Sequence, residues 1–155
     1  MAAALDVAKL LIHLAAGGDE ADFLTPLRVQ KLLYYCEGWS LARRGQRLFP
    51  DHIEAWPHGP VVPGVWRYFS KFGSNPIIPA EVPRPGRITP AEQKLIVEVW
   101  DGYKGFSAWA LRTMTHEEEP WVEARAGCSP TAKTSRRISR ATMRRFFSEL
   151  DEAEA

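Results

Sequence analysis

The chain has 155 residues, a length that one domain fills, and 45% hydrophobic against 25% charged residues is the balance of a globular protein. A net charge of +1 supplies no global field toward nucleic acid, an acidic substrate or a membrane surface. Six tryptophans are many for this length and suit either a core or an interface.

Met1 to Ala16 is apolar, but Asp6, Lys9 and His13 interrupt it and no basic segment precedes it, so it does not read as a signal peptide. Ala4, Ala8, Leu11, Ile12 and Ala15 instead form one face of a helix over about 4–16, ended by Gly17-Gly18. Thr25 then offers its hydroxyl as a cap, and Pro26 at the first helical position loses no hydrogen bond. Winding the helix to Arg44 puts Val29, Leu32, Leu33, Cys36 and Trp39 on one face and Leu27, Tyr34 and Leu41 on the other. Polar lanes run through Gln30, Glu37 and Arg44 and around Arg28 and Lys31, so this is the central helix of the domain.

Ile53 to Trp56 reads as a short extended piece, and Pro57-His58-Gly59-Pro60-Val61-Val62-Pro63 as a rigid turn into a helix with Val65, Trp66, Phe69 and Phe72, stopped by Gly73. Residues 73–87 are too rich in proline for more than an edge strand at Ile77-Ile78, and read as a connector strapped over the surface. Thr89-Pro90-Ala91-Glu92 combines a capping box with a first-position proline, and Leu95, Ile96, Val99, Trp100 and Tyr103 follow on one side. Ser107 caps the next helix, with Trp109, Leu111 and Met114, and Thr115 to Glu118 offers a further capping box. Residues 126–137 have turn formers and no hydrophobic period, the pattern of a mobile loop. Ile138 and Met143 fit a hydrophobic staple around a Ser139 cap, and the last helix buries Met143, Phe146, Phe147 and Leu150 before an acidic tail, 151–155, that frays. The expected fold is mainly α, a compact bundle of about six or seven helices around the helix at 26–44, with minor short strands. Residues 1–150 form a single domain.

In order, T-P-L-R-V-Q-K-L-L-Y-Y from Thr25, I-E-A-W from Ile53, G-P-V-V-P from Gly59 and a Trp- and Phe-rich helix resemble the Panacea domain, the SocA-like antitoxin family often described as phage-associated. The likeness continues through Thr115-His116-Glu117 and Pro120-Trp121 to the closing Ile138, Met143 and Phe146. The family's motif residues fall at Thr25, Leu27, Gln30, Lys31, Leu32, Tyr34, Ala55, Trp56, Gly59, Pro60, Val61, Thr115, His116, Pro120 and Trp121, and most read as architectural. Pro57-His58 departs from the polar and often aromatic residue expected between Trp56 and Gly59. The resemblance implies a bacterial or phage-borne antitoxin that binds a cognate toxin protein, encoded beside it, and blocks it. It also suggests an alternative, an adaptor that delivers the bound toxin to an AAA+ protease such as ClpXP.

No metal, cofactor or catalytic signature accompanies these motifs. His116-Glu117 begins like a zinc-protease helix, but position 120 is Pro where the second histidine is required, so Glu117 to Glu119 read as an acidic helix start. His13, His52 and His58 share no ligand spacing with Cys36 or Cys128, and two cysteines make no disulfide framework, which suits the cytoplasm. Phosphate-loop, dinucleotide and nucleophile-elbow runs are absent, and carboxylates such as Glu37 and Glu54 read as parts of a solvated face. The expectation is a protein that is not an enzyme.

Two stretches remain as candidate partner-binding surfaces. Trp56 and His58 sit on the proline-held turn, where a rigid surface loses little entropy on binding. Arg136, Arg137, Arg140 and Arg144 belong to a basic run, with Arg125, Lys133 and Arg145, that has no acid from 126 to 148. That run suits a solvated face or a protein partner better than nucleic acid, because it lacks a recognition-helix pattern and interleaved aromatics.

Overall fold

The computed structural model describes residues 1–154. In chain order it contains α1 (Ala4–Ala16), α2 (Pro26–Arg44), β1 (Glu54–Trp56), β2 (Gly59–Val61), α3 (Pro63–Phe69), α4 (Pro90–Tyr103), α5 (Ala108–Glu117), α6 (Glu119–Ala124) and α7 (Arg140–Glu154). The helix starts follow local chemistry. Thr25 Oγ1 accepts Arg28 N–H at 3.3 Å, Thr89 and Glu92 close a capping box, and Ser107 and Ser139 accept Ala110 and Thr142 N–H. Among the described residues no helix is long and apolar enough to cross a membrane.

The central position of α2 is as expected, but its burial is more complete than two apolar faces require. Every residue from Arg28 to Leu41 is buried, because α1, α4, α5, α7 and β2 surround the helix. The polar lanes are therefore inside, and each serves as a socket for a loop. Gln30 Oε1 accepts Val62 N–H at 2.7 Å, Glu37 Oε1 accepts Leu48 N–H at 2.6 Å, and Ser40 Oγ donates to Gln46 O at 2.8 Å. Glu37, expected on a solvated face, is fully buried, and its other oxygen accepts from Arg140. Burying a polar group costs less when such partners are present, so the lanes fix loop positions as well as helix contacts, although Gln30 Nε2 and Arg28 Nε are buried without a partner among the described residues.

Helix α7 packs against α2 most extensively, and one glycine sets how closely. A Cβ on Gly38 would lie 2.1 Å from Phe147, whose ring meets Tyr34, Tyr35 and Trp39 edge-on. The expected fraying from Asp151 does not occur: α7 runs to Glu154, and Asp151 lies 3.4 Å from Arg43 of α2. Ala155 lies outside the described residues.

The proline-rich connector does strap the surface, over α1, but Ile77-Ile78 forms no strand. Pro76 and Pro79 bracket the pair, and its link to the core is one bond from Ile77 N–H to Leu24 O at 2.8 Å, with Ile77 fully buried. Farther on, His13 Nε2 lies 2.9 Å from Val82 O, and Gly86 N–H donates to Asp6 at 2.8 Å.

A capping box at Thr115 to Glu118 does not form, because α5 continues through Glu117. Thr115 Oγ1 donates to Arg112 O, and α6 starts from Glu118 without a side-chain cap. The loop at 126–137 is also tied down. Arg125 Nη2 donates to Ser129 O and Ala132 O, Ala55 N–H donates to Arg136 O, and the backbone of Arg137 pairs antiparallel with that of Glu54 in β1.

Candidate partner-binding groove

The turn from Trp56 to Gly59 closes a hairpin, with Glu54 paired to Val61, Ala55 to Pro60 and Trp56 to Gly59. Pro60 is tolerated in a strand because Ala55 turns its own backbone groups away from it. Ala55 N–H donates to Arg136, and Ala55 O accepts from Arg125.

Four consecutive carbonyls of this hairpin are held by side chains from other elements. Ala55 O accepts from Arg125 Nη1 at 2.9 Å, and Trp56 O from Trp121 Nε1 at 2.9 Å. Pro57 O lies 2.7 Å from His116 Nε2, and His58 O accepts from Lys31 Nζ at 2.6 Å. Gly59 makes the last contact possible. Its φ is +124°, and a Cβ there would lie 2.9 Å from Lys31 Nζ.

The clamp is built from unusual charge states. Lys31 is buried without a carboxylate, and that burial, reinforced by the Arg112 charge, lowers its pKa to about 7. His116 Nδ1 lies 2.7 Å from Arg112 O, so both ring nitrogens face carbonyls, and only a protonated ring donates to both. Burial, with the Arg112 and Lys31 charges nearby, nevertheless holds the His116 pKa below its ordinary value.

Above the clamp lies a groove of about 500 Å³ between Trp56 and Trp66, which meet edge-to-face at 6.1 Å. Leu27, Val61 and Pro130 extend its apolar walls, His58 lies at its edge, and Arg112 and Lys133 supply its charge. Among the described residues no carboxylate lines it. Trp56 also walls a second depression, of about 300 Å³, with Glu54 and Lys133, and its indole N–H donates to Glu54 Oε1 at 2.9 Å. The indole is half-buried and belongs to the rim of these depressions.

The remaining motif residues support this arrangement from beneath. Thr25 caps α2, Leu32 and Ala55 are core, Gln30 holds Val62, and Pro120 is buried at the start of α6. Tyr34 is fully buried and, with Tyr35, donates to Glu118, while Thr115 packs against Gly59. The basic run is not one surface. Arg125 is buried in the clamp, Arg140 pairs with Glu37, Arg136 donates to Ala126 O, and Arg145 pairs with Glu119. Arg137 and Arg144 stay exposed, as does Lys133 at the groove.

Trp66, Arg112 and Trp109 were not singled out as binding residues by the sequence. Trp109 is 70% exposed and its ring lies 4.9 Å from the guanidinium of Arg112, which lines the groove. Its position was readable: at about 100° per residue it sits about 200° from the buried Leu111, on the outer face of the helix. Among the described residues no cluster of His, Cys, Asp and Glu is arranged to hold a metal ion.

The family model described as "Antitoxin SocA-like, Panacea domain" matches residues 29–122, which include the clamped turn, the clamping Lys31, His116 and Trp121 but not Arg125, and most of the groove. Over 72 residues the chain is 43% identical to Antitoxin SocA of Caulobacter vibrioides, a stretch covering 46% of this chain and 37% of that protein. The likeness thus spans well under half of the curated relative's length. No solved structure matches. With the family model covering more than half of its residues, the chain belongs to the SocA-like antitoxin family built on the Panacea domain.

Proposed function

We propose that this chain is the antitoxin of a bacterial or phage toxin–antitoxin pair and neutralises its toxin by direct binding through the Trp56–Trp66 groove. The observation that carries the reading is the fourfold clamp on the carbonyls of 55–58. A turn so held is already ordered before a partner arrives, so little conformational entropy is lost on contact. Half-buried tryptophans beside Arg112 and Lys133 suit an acidic segment of the toxin that carries an apolar or aromatic anchor.

The test is growth of a bacterial host that expresses the adjacent gene, alone and with this chain, in strains with and without ClpXP. Occlusion predicts toxicity that is relieved in both strains, and loss of that relief by Lys133→Glu or Trp66→Ala in a chain that still folds. Relief confined to the strain with the protease would replace occlusion by delivery, and a toxin still neutralised by both groove variants would place the contact elsewhere.

A further inference from the structure

Another cavity, of about 470 Å³, opens on the other side of α5 between α2, α4 and α7. Trp39, Tyr103 and Phe106 wall it, and Glu118 closes its inner end. The walls are rigidly set: Tyr103 stacks on Tyr35 at 4.1 Å, and its hydroxyl accepts Trp39 Nε1–H at 2.9 Å. Both Tyr34 and Tyr35 donate to the Glu118 carboxylate, at 3.0 to 3.2 Å. They satisfy its oxygens without supplying a positive charge, and among the described residues no cation pairs with it. Glu98 and Glu154 add two further carboxylates at the mouth. The one cation there among the described residues, Arg43, is already stacked over Trp39 at 4.5 Å and shared between Glu98 and Asp151.

We propose that this pocket receives the guanidinium group of an arginine presented by a protein partner. A planar, weakly hydrated cation is the group that gains from both features of the site, aromatic faces at its sides and a half-buried carboxylate at its end. A lysine ammonium would lose more hydration and use the flat walls less well. The volume admits one long side chain with water to spare, and the acidic mouth disfavours a ligand that carries its own carboxylate. The site is separate from the Trp56–Trp66 groove, so it does not depend on the reading of that groove as the toxin surface.

The test uses the full chain labelled with ¹⁵N and follows the Trp39 indole N–H by NMR. N-acetyl-arginine amide is expected to shift this resonance saturably, with a dissociation constant on the order of millimolar for so small a ligand. The neutral isostere N-acetyl-citrulline amide and the variant Glu118→Gln are each expected to weaken binding about tenfold or more. Phe106→Ala, at a half-exposed wall position that leaves the core intact, keeps the test open if Glu118→Gln fails to fold, and is expected to weaken binding several-fold. Free L-arginine, with its α-carboxylate, should bind more weakly than the capped amide. Equal binding of the citrulline probe, an unchanged affinity in both variants, or no saturation would overturn the assignment. Tighter binding of free L-arginine would assign the pocket to a small molecule and overturn the protein source.

Discussion

Arg140 Nε lies 2.7 Å from Glu37 Oε2, so the first residue of α7 is paired with a fully buried carboxylate at the middle of α2. The same carboxylate accepts Leu48 N–H at 2.6 Å, and Arg140 also donates to Asp51 O. One acid therefore joins the central helix, the loop that follows it and the last helix. Removing either partner takes the nearest opposite charge from the other, and Glu37 would keep only Arg47 Nε at 3.8 Å, so Glu37→Gln and Arg140→Gln should each destabilise the fold by about 3 kcal/mol in urea denaturation. The double variant should lose less than the sum, since the pair acts as a unit. This contact also bears on nucleic-acid binding: heparin or DNA retention should be tested with Arg136, Arg137 and Arg144 changed and Arg140 kept, so that a loss of retention is not a loss of fold.

Gly38→Ala should be among the most damaging small substitutions in the chain. The added methyl would stand 2.1 Å from a fully buried Phe147 ring that four aromatic neighbours, Tyr34, Tyr35, Trp39 and Phe146, meet edge-on. Overpacking of this kind costs about 1–3 kcal/mol or more. Trimming the ring in Gly38→Ala with Phe147→Leu should recover part of that loss. A single variant as stable as the parent in thermal melts would mean that α7 can shift on α2.

Much of the fold was legible because helix starts are local. Thr25-Pro26, Thr89-Pro90 with Glu92, Ser107 and Ser139 each announce a helix through chemistry confined to about four residues. The second strand was hidden by Pro60, which demotes a strand unless its partner's backbone bonds lie on the far side, and only Arg136 and Arg125 show that they do. The site was half legible. The turn that carries Trp56 and His58 announces its rigidity through its prolines, but the clamp does not, because Lys31, His116, Trp121 and Arg125 lie 27, 59, 65 and 70 residues from the carbonyls they hold. Glu118 was missed for the same reason: within Glu117–Glu119 nothing separates it from a solvated acid except two tyrosines 83 and 84 residues away.

At Gly59, replacement by Ala tests whether the clamp matters to binding. Alanine must adopt φ near +124° or move, and its methyl presses on Lys31 Nζ and Thr115 Oγ1. A strained backbone position of this kind should lower stability by about 1–3 kcal/mol. Circular dichroism should still report the helices, since the hairpin lies at their edge. If the groove is the toxin surface, rescue of growth should fall by more than Lys133→Glu alone produces, because the turn itself is released.

Glu118 makes the stability of the fold depend on pH. Burial raises its pKa to about 7, against the lowering effect of the Tyr34 and Tyr35 hydroxyls and with a small push from Glu117. The unfolded chain holds the same carboxyl near 4.5. A raised pKa means that the folded state binds the proton more tightly, so the stabilising contribution is fully present below pH 4.5 and disappears as pH rises to about 7. Over that window the loss is about 3 kcal/mol. Glu118→Gln keeps an oxygen for the tyrosine hydroxyls and cannot ionise, so it should be close to the parent at pH 4 and more stable than it at pH 8. The readout is the difference between the two chains in urea denaturation across this range, which cancels the titration of other groups such as His116. A difference that stays constant with pH would show that the Glu118 carboxylate is hydrated or neutralised in the folded protein. A guanidinium compound bound in its pocket should narrow the difference at pH 8, since a cation beside the carboxylate favours its charged form.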